Sequence, residues 1–188
     1  LGIQGSPVTV KTLANDDAGT AGAALVPSFV SIVSGTPDPI TQGTLSVDAT
    51  TGEITFTPVA GFTGSLTYTY QVCDTNTPSA CATATQTVTI YPTGSANIVA
   101  AADDYNLTYQ GASVSGNVLT NDTQVKAGTL AVTAQTTTLP GVGTLTLSAN
   151  GSYTFVPDPA FKGNTSFVYE VTGVDGVKAY ATLYISSS

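Results

Sequence analysis

The stretch GEITFTPVAGFTGSLTYTYQV, residues 52–72, lies without a gap over GSYTFVPDPAFKGNTSFVYEV, residues 151–171. Gly52 meets Gly151, Phe56 meets Phe155, Pro58 meets Pro157 and Phe62 meets Phe161. Further on, Gly64 meets Gly163, Tyr70 meets Tyr169 and Val72 meets Val171. In both copies apolar residues alternate with Thr, Ser and other polar residues, the period of a strand with one buried face. Working back along the chain, QGSPVTVKTLAND (4–16) lies over QGASVSGNVLTND (110–122). The offset falls from 106 to 99 residues between the two matches, so the first copy carries extra loop residues, mainly around SIVSGTPDPITQG. Ordered matches of this length are an internal repeat. The chain holds two copies of one domain.

The Pro/Gly/Ser stretch YPTGSAN separates them. We place the first domain at residues 1–92, a linker at 93–97 and the second domain at 98–188. The leading segment NIVAAADDYNLTY of the second copy has almost no counterpart in the first, which therefore lacks its first strand or receives one from elsewhere. In the second copy, period-two runs predict strands near 105–109, 114–119, 129–134, 143–148, 152–156, 165–172 and 177–186, with Gly, Asn, Asp and Pro between them. No stretch shows a helical period. Seven short strands in about ninety residues fit an all-β immunoglobulin-like antiparallel sandwich. Phe56, Phe62 and Tyr70, with Phe155, Phe161 and Tyr169, are expected in equivalent buried positions.

Composition narrows the function. Of 188 residues, four are lysine, none is arginine and twelve are carboxylates, giving a net charge of −8. Nucleic-acid binding by counterion release and polybasic contact with a membrane are excluded on that charge. There is no His, Met or Trp. Ser-His-Asp and Cys-His nucleophiles and histidine metal sites go with the missing His. No apolar run approaches the roughly 18 residues of a membrane helix, so no membrane insertion is expected. The start, Leu1-Gly2-Ile3, carries no Met or leader and reads as a cut inside a longer polypeptide.

Cys73 and Cys81 stand between the alternating runs LTYTYQV and ATQTVTI, facing each other across a hairpin. Two sulfurs without a histidine make a poor metal site. A structural disulfide, and with it an extracellular location, is the better reading.

The run VLTNDTQ…GTLTLSANGSYTFVPDPAFKGNTSFVYEVTGVDGVKAYATLYI resembles the cadherin-like, immunoglobulin-like tandem repeats of giant bacterial surface adhesins. The first copy, with YQVCD…C, looks like the version found in surface adhesins of gliding bacteria. The resemblance implies two tandem cadherin-like sandwiches at the cell surface, with neighbouring repeats of the same polypeptide as partners. It leaves the ligand open.

Strand parity places nine of the twelve carboxylates at equivalent ends: Asp16, Asp17, Asp48, Glu53 and Asp74 in the first copy, Asp103, Asp104, Asp122 and Asp175 in the second. Asp and Asn are also ordinary turn formers. Converging oxygen ligands would suit calcium, with Asp103, Asp104, Asp122 and Asp175 as the candidate set. Lys126 stands where relatives carry another acid, and Gly173 stands where their loop acid is expected. Calcium there would tie the leading segment to the Asn121-Asp122 turn.

No catalytic residues are assigned, and the chain is read as a non-enzymatic structural or adhesive module, a spacer or binding segment in attachment or gliding. A carbohydrate-binding module is the alternative, with Tyr68 and Tyr70 sharing a face and surface polysaccharide or a substratum as ligand. An enzyme using a carboxylate pair such as Asp103 and Asp122 is the third reading.

Overall fold

In the computed structural model the described residues are 1–14, 16, 18, 23–76 and 79–188. They divide into two compact units, Leu1–Ala96 and Asn97–Ser188. Asp17, placed above among the carboxylates of the first copy, lies outside the described residues.

Unit 1 contains β1 (Gly2–Ile3), β2 (Val8–Val10), β3 (Ser31–Ser34), β4 (Gly43–Val47), β5 (Ile54–Pro58), β6 (Gly64–Cys73) and β7 (Cys81–Tyr91). A single 3₁₀ turn, Pro27–Phe29, precedes β3. One sheet runs β2-β5-β4 and the other β1-β7-β6-β3. Unit 2 contains β8 (Val99–Ala100), β9 (Asp104–Thr108), β10 (Val114–Asn117), β11 (Thr123–Gln124), β12 (Ala131–Val132) and β13 (Gln135–Leu139). It continues with β14 (Gly143–Leu147), β15 (Ser152–Pro157), β16 (Gly163–Thr172) and β17 (Lys178–Ser187). Its sheets run β10-β15-β14-β13 and β12-β16-β17-β9, with β8 and β11 as a separate pair. The fold is all-β, two tandem sandwiches of immunoglobulin-like, cadherin-like type.

The cores follow the alternation. In β16, Phe167, Tyr169 and Val171 are buried while Val168 and Glu170 face outward. In β6, Leu66, Tyr68, Tyr70 and Val72 are buried on the same parity. Fully burying side chains of this size contributes about 1.5–3 kcal/mol each. Phe56 and Phe155 are fully buried, whereas Phe62 and Phe161 are only half-buried. These two pack edge-on against their partners, with ring centroids 5.7 and 6.4 Å apart. The face shared by Tyr68 and Tyr70 points into the core, and this corrects its reading as a sugar platform. Burial pushes the Tyr68 hydroxyl up to about 12.

Strand β13 was not expected, because QTTTL carries no apolar alternation. It forms because β14 offers it five continuous register pairs, from Gln135 with Leu147 to Leu139 with Gly143. A second repeat signal also escaped the sequence. Gly43 and Gly143 both have φ +143°, and a Cβ there would lie 2.8 and 2.7 Å from the Cα of Pro58 and Pro157. The strand-to-strand approach at these corners admits only glycine.

On the outward faces Thr and Ser hydroxyls pair across strands: Thr9 with Thr55, Thr67 with Thr87, Ser115 with Thr154 and Thr138 with Thr144, at 2.8 to 3.0 Å. These ladders satisfy polar groups on a surface with almost no charge.

Cys73 and Cys81 are disulfide-bonded, their Cα atoms 4.1 Å apart at the last register pair of the β6–β7 hairpin. Inside the closed loop Asp74 is buried, its carboxylate accepting from the N–H groups of Asn76 and Ala80. Closing so short a loop contributes about 2–3 kcal/mol. The Cys73→Ser/Cys81→Ser double variant is therefore expected to lower the denaturant stability of unit 1 by that amount and leave the unit 2 transition in place. An unchanged unit 1 midpoint in urea would refute this.

Candidate functional site

The leading segment of unit 2 is anchored by one tyrosine. Tyr169 projects inward from β16, and its hydroxyl lies 2.9 Å from Ala102 O, 2.7 Å from Asp104 Oδ2 and 3.3 Å from Val118 O. Ala102 N donates to Asp122 Oδ1 at 2.7 Å, and Thr182 N donates to Asp103 Oδ1 at 2.8 Å. Residues 102–104 are thereby tied to the turn at Asn121-Asp122, to β16 and to β17. Tyr169 and the Asn-Asp turn were both visible as repeat signals; their meeting was not.

A phenol has a single proton to give. Tyr169 donates it among three acceptors, Asp104 Oδ2 and the carbonyls of Ala102 and Val118, with Asp104 the nearest. Burial pushes the Asp104 carboxyl up to about 7, with the charges of Asp122 and Asp103 adding to the shift and the hydrogen bond from Tyr169 opposing it. Burial also pushes Asp122 up to about 6, against the lowering effect of the Ala102 N–H. Asp122 Oδ2 is buried and has no hydrogen-bond partner among the described residues, so a proton there is less costly than a charge.

Asp175 sits elsewhere. Its carboxylate accepts from Asn97 Nδ2 at 3.0 Å and pairs with Lys126 Nζ at 3.5 Å, and the Asn97 hydrogen bond chiefly holds its pKa below the usual range. Asn97 is itself buried, its carbonyl oxygen accepting from Lys126 N; nothing in the sequence marked it. The four candidate carboxylates thus form a cluster of three and a separate ion pair, not one donor set. Among the described residues no three His, Cys, Asp or Glu side chains are placed to hold a metal ion. Calcium takes six to eight oxygens. Here the point where oxygens converge is filled by the Tyr169 hydroxyl, and one orphan oxygen on Asp122 is no cage. As they stand, these side chains do not fit calcium.

Unit 1 repeats the anchor in reduced form. Tyr70 OH donates to Asp16 Oδ2 at 2.9 Å, Tyr70 and Asp16 matching Tyr169 and Asp122 in the repeat. Asp48 and Asp38 serve their own turns, each accepting from two backbone N–H groups, which holds both carboxyls below the usual range. On an outer face, Glu170 accepts from Lys178, Tyr180 and Thr133.

Two β-sandwiches, each with a buried tyrosine hydrogen-bonded to an aspartate, place the chain in the class of tandem β-sandwich repeats. Comparison with known families identifies both: residues 96–188 match the bacterial cadherin-like domain and residues 2–91 the bacterial Ig domain. Each match covers just under half of the chain, one per unit. Such domains are typical of extracellular or surface proteins, act as adhesive or structural modules, commonly interact with neighbouring repeats and are generally non-enzymatic. No curated protein matches the chain. Among solved structures, Drosophila N-cadherin EC1-3 is 12% identical over 90% of this chain and 56% of its own, with a TM-score of 0.38. Protocadherin Gamma B2 extracellular cadherin domains 3-6 is 18% identical over 85% and 42%, with a TM-score of 0.33. An endo-fucoidan hydrolase of glycoside hydrolase family 107 is 16% identical over 85% and 23%, also at 0.33. The chain spans less than two thirds of each, and at these scores the likenesses support no further conclusion. Among the described residues no helix is long and apolar enough to cross a membrane.

The raised carboxyls fix a pH dependence. Between the unfolded carboxylate pKa near 4 and the folded values near 6 and 7, the folded state binds more protons than the unfolded. Their stabilising contribution is therefore complete below about pH 4 and is lost as pH rises through 6 to 7. The melting temperature of unit 2 is expected to fall by several degrees from pH 5 to pH 8, and Asp104→Asn is expected to flatten that fall. A melting temperature that rises over this range, or a variant with an undiminished fall, contradicts the proton assignment.

Proposed function

We propose that this chain is a tension-carrying segment of a long exported bacterial surface protein, a non-enzymatic adhesive spacer of the kind used in attachment or gliding. One observation carries the reading: in each unit a strand near the entry, β1 in unit 1 and β9 in unit 2, runs parallel to the last strand. Strand β9 pairs with β17 over five residues, Asp104 with Leu183 through Thr108 with Ser187. Parallel neighbours place the entry of one strand and the exit of the other at opposite ends. Pulling on both slides them past each other, so all the hydrogen bonds between them are loaded together rather than opened in sequence. A segment built to extend a surface protein under drag needs this geometry. Neighbouring repeats are its partners in this reading, with surface polysaccharide or a substratum at the far end; calcium enters only through the family, not through the described side chains.

A second reading has its own observation. Tyr105 and Tyr184 stack on an outer face of unit 2, centroids 5.1 Å apart and planes 10° apart, with Tyr105 and Tyr180 well exposed. Exposed rings of this kind suit contact with sugars, and binding on a glycan array that Tyr105→Ala abolishes would favour a carbohydrate-binding module.

The unequal first strands allow a sharper test. In unit 1, β1 pairs with β7 at only two positions, Gly2 with Ile90 and Ile3 with Tyr91. Stretched between handles in a single-molecule force experiment, the chain is expected to give two unfolding events of about 30 nm each, the length of roughly ninety extended residues. The unit 1 event should come at the lower force and lengthen when its disulfide is reduced. Extension without resolvable force peaks would overturn the spacer reading.

A further inference from the structure

The two long hairpins correspond residue by residue, and their outward positions differ in one respect. Glu170 pairs with Tyr180 where Gln71 pairs with Thr83, and Ser166 pairs with Tyr184 where Thr67 pairs with Thr87. Unit 1 builds the same hairpin with threonine at both places, so the sandwich itself does not need aromatic rings there. Unit 2 exposes them to water. Tyr180 is 63% exposed and Tyr105 67%, and Tyr105 stands level with Tyr184 on β9, the edge strand of this sheet. Tyr180 and Tyr184 are four strand residues apart, about 13 Å. Because β9 runs parallel to β17, the exposed Tyr109 just past its end continues the line in the same direction. Rings set along the strands in this way form an open track rather than a pocket, and a track suits a linear polymer.

The polar groups beside the rings narrow the polymer. On β16, Ser166 lies next to Tyr184 and Asn164 next to Ser186, both exposed on the same face. A wholly apolar partner would strip water from these groups and give nothing back. A sugar chain, apolar on its ring faces and hydroxylated at its rims, meets both kinds of surface. Charge narrows it further. Lys178 is held by Glu170 at 2.7 Å. Asp103 is exposed, shares the parity of Tyr105 and accepts from Thr182 N, and among the described residues it has no ion pair. The whole chain carries a net charge of −8. An acidic polysaccharide is repelled by such a surface, whereas an ammonium group gains from both a tyrosine face and a carboxylate.

We propose that the outer face of β9, β17 and β16 binds a linear polysaccharide whose sugars carry free, protonated amines. Tyr180, Tyr184 and Tyr105 stack on sugar faces, and Asp103 takes an ammonium beside them. This rests on the sugar-contact reading of the Tyr105–Tyr184 pair and names the class of sugar.

The probe is a glucosamine oligomer, titrated into the full chain at mildly acidic pH and low salt, beside its N-acetylated counterpart and an oligolysine. Saturable binding of the amine oligomer is expected, weaker at high salt. It should weaken about tenfold in Tyr184→Thr and in Tyr105→Thr, and by a similar factor in Asp103→Asn, whose side chain can still accept from Thr182 N. Both tyrosine variants keep the net charge, and the first places at 184 the residue type that unit 1 carries at 87, so both should fold as the parent does. Binding of the amine oligomer indifferent to both tyrosines is general charge attraction and overturns the proposal. Equal binding of the N-acetylated oligomer, lost in the same variants, overturns the amine but leaves the sugar-contact reading standing. Binding of neither oligomer overturns both. Oligolysine that binds as tightly, with the same dependence on the tyrosines, overturns the sugar.

Discussion

The structure of each unit depends on a tyrosine hydroxyl held under the entry of the domain. In unit 2, Tyr169 reaches Ala102, Asp104 and Val118 from β16, and so joins the leading segment to the last hairpin. Buried phenols without partners are costly, so the surrounding oxygens must close on this one. That requirement fixes where residues 102–104 lie, and it sets β9 beside β17. The parallel strand pair, and the mechanical role proposed from it, follow from the anchor.

The same constraint accounts for the acidic cluster. Asp104 and Asp122 are brought together by a phenol and an amide, and burial disfavours the charge on each. A proton satisfies such a pair without further ligands. Lys126 gives Asp175 a different charge partner and removes it from the set. Exposed and more than 3 Å apart, that pair adds little stability. Its consequence is to divide four acids into two groups with unlike chemistry.

Unit 1 carries the same anchor in a simpler form. The tyrosine and aspartate remain, bonded to each other, and the hairpin beyond them keeps its register for ten pairs. The disulfide closes the hairpin at the end remote from β1, where among the described residues β7 is paired to β6 alone. Exposed Ala82 and Ala84 are the counterparts of alanines that unit 2 covers.

By itself the sequence determined the repeat, the sandwich class, the cysteine pair and most strands, because period two and the Phe-Pro-Phe-Gly-Tyr pattern are local consequences of burying one face. Phe56, Phe155, Tyr70 and Tyr169 were legible as core for that reason. It missed β13, where QTTTL is held by pairing to β14 rather than by any pattern of its own, and its alternative reading of the face shared by Tyr68 and Tyr70 as a displayed one does not hold. Parity says that two side chains share a side but not which side another sheet covers. Only the tertiary structure decided that Tyr169 fills the point where calcium had been expected, that Asp175 belongs to Lys126, and that Ala84 is bare where Ala181 is covered. Each depends on segments 14 to 67 residues apart meeting at one point, and spacing along a chain carries no record of such a meeting.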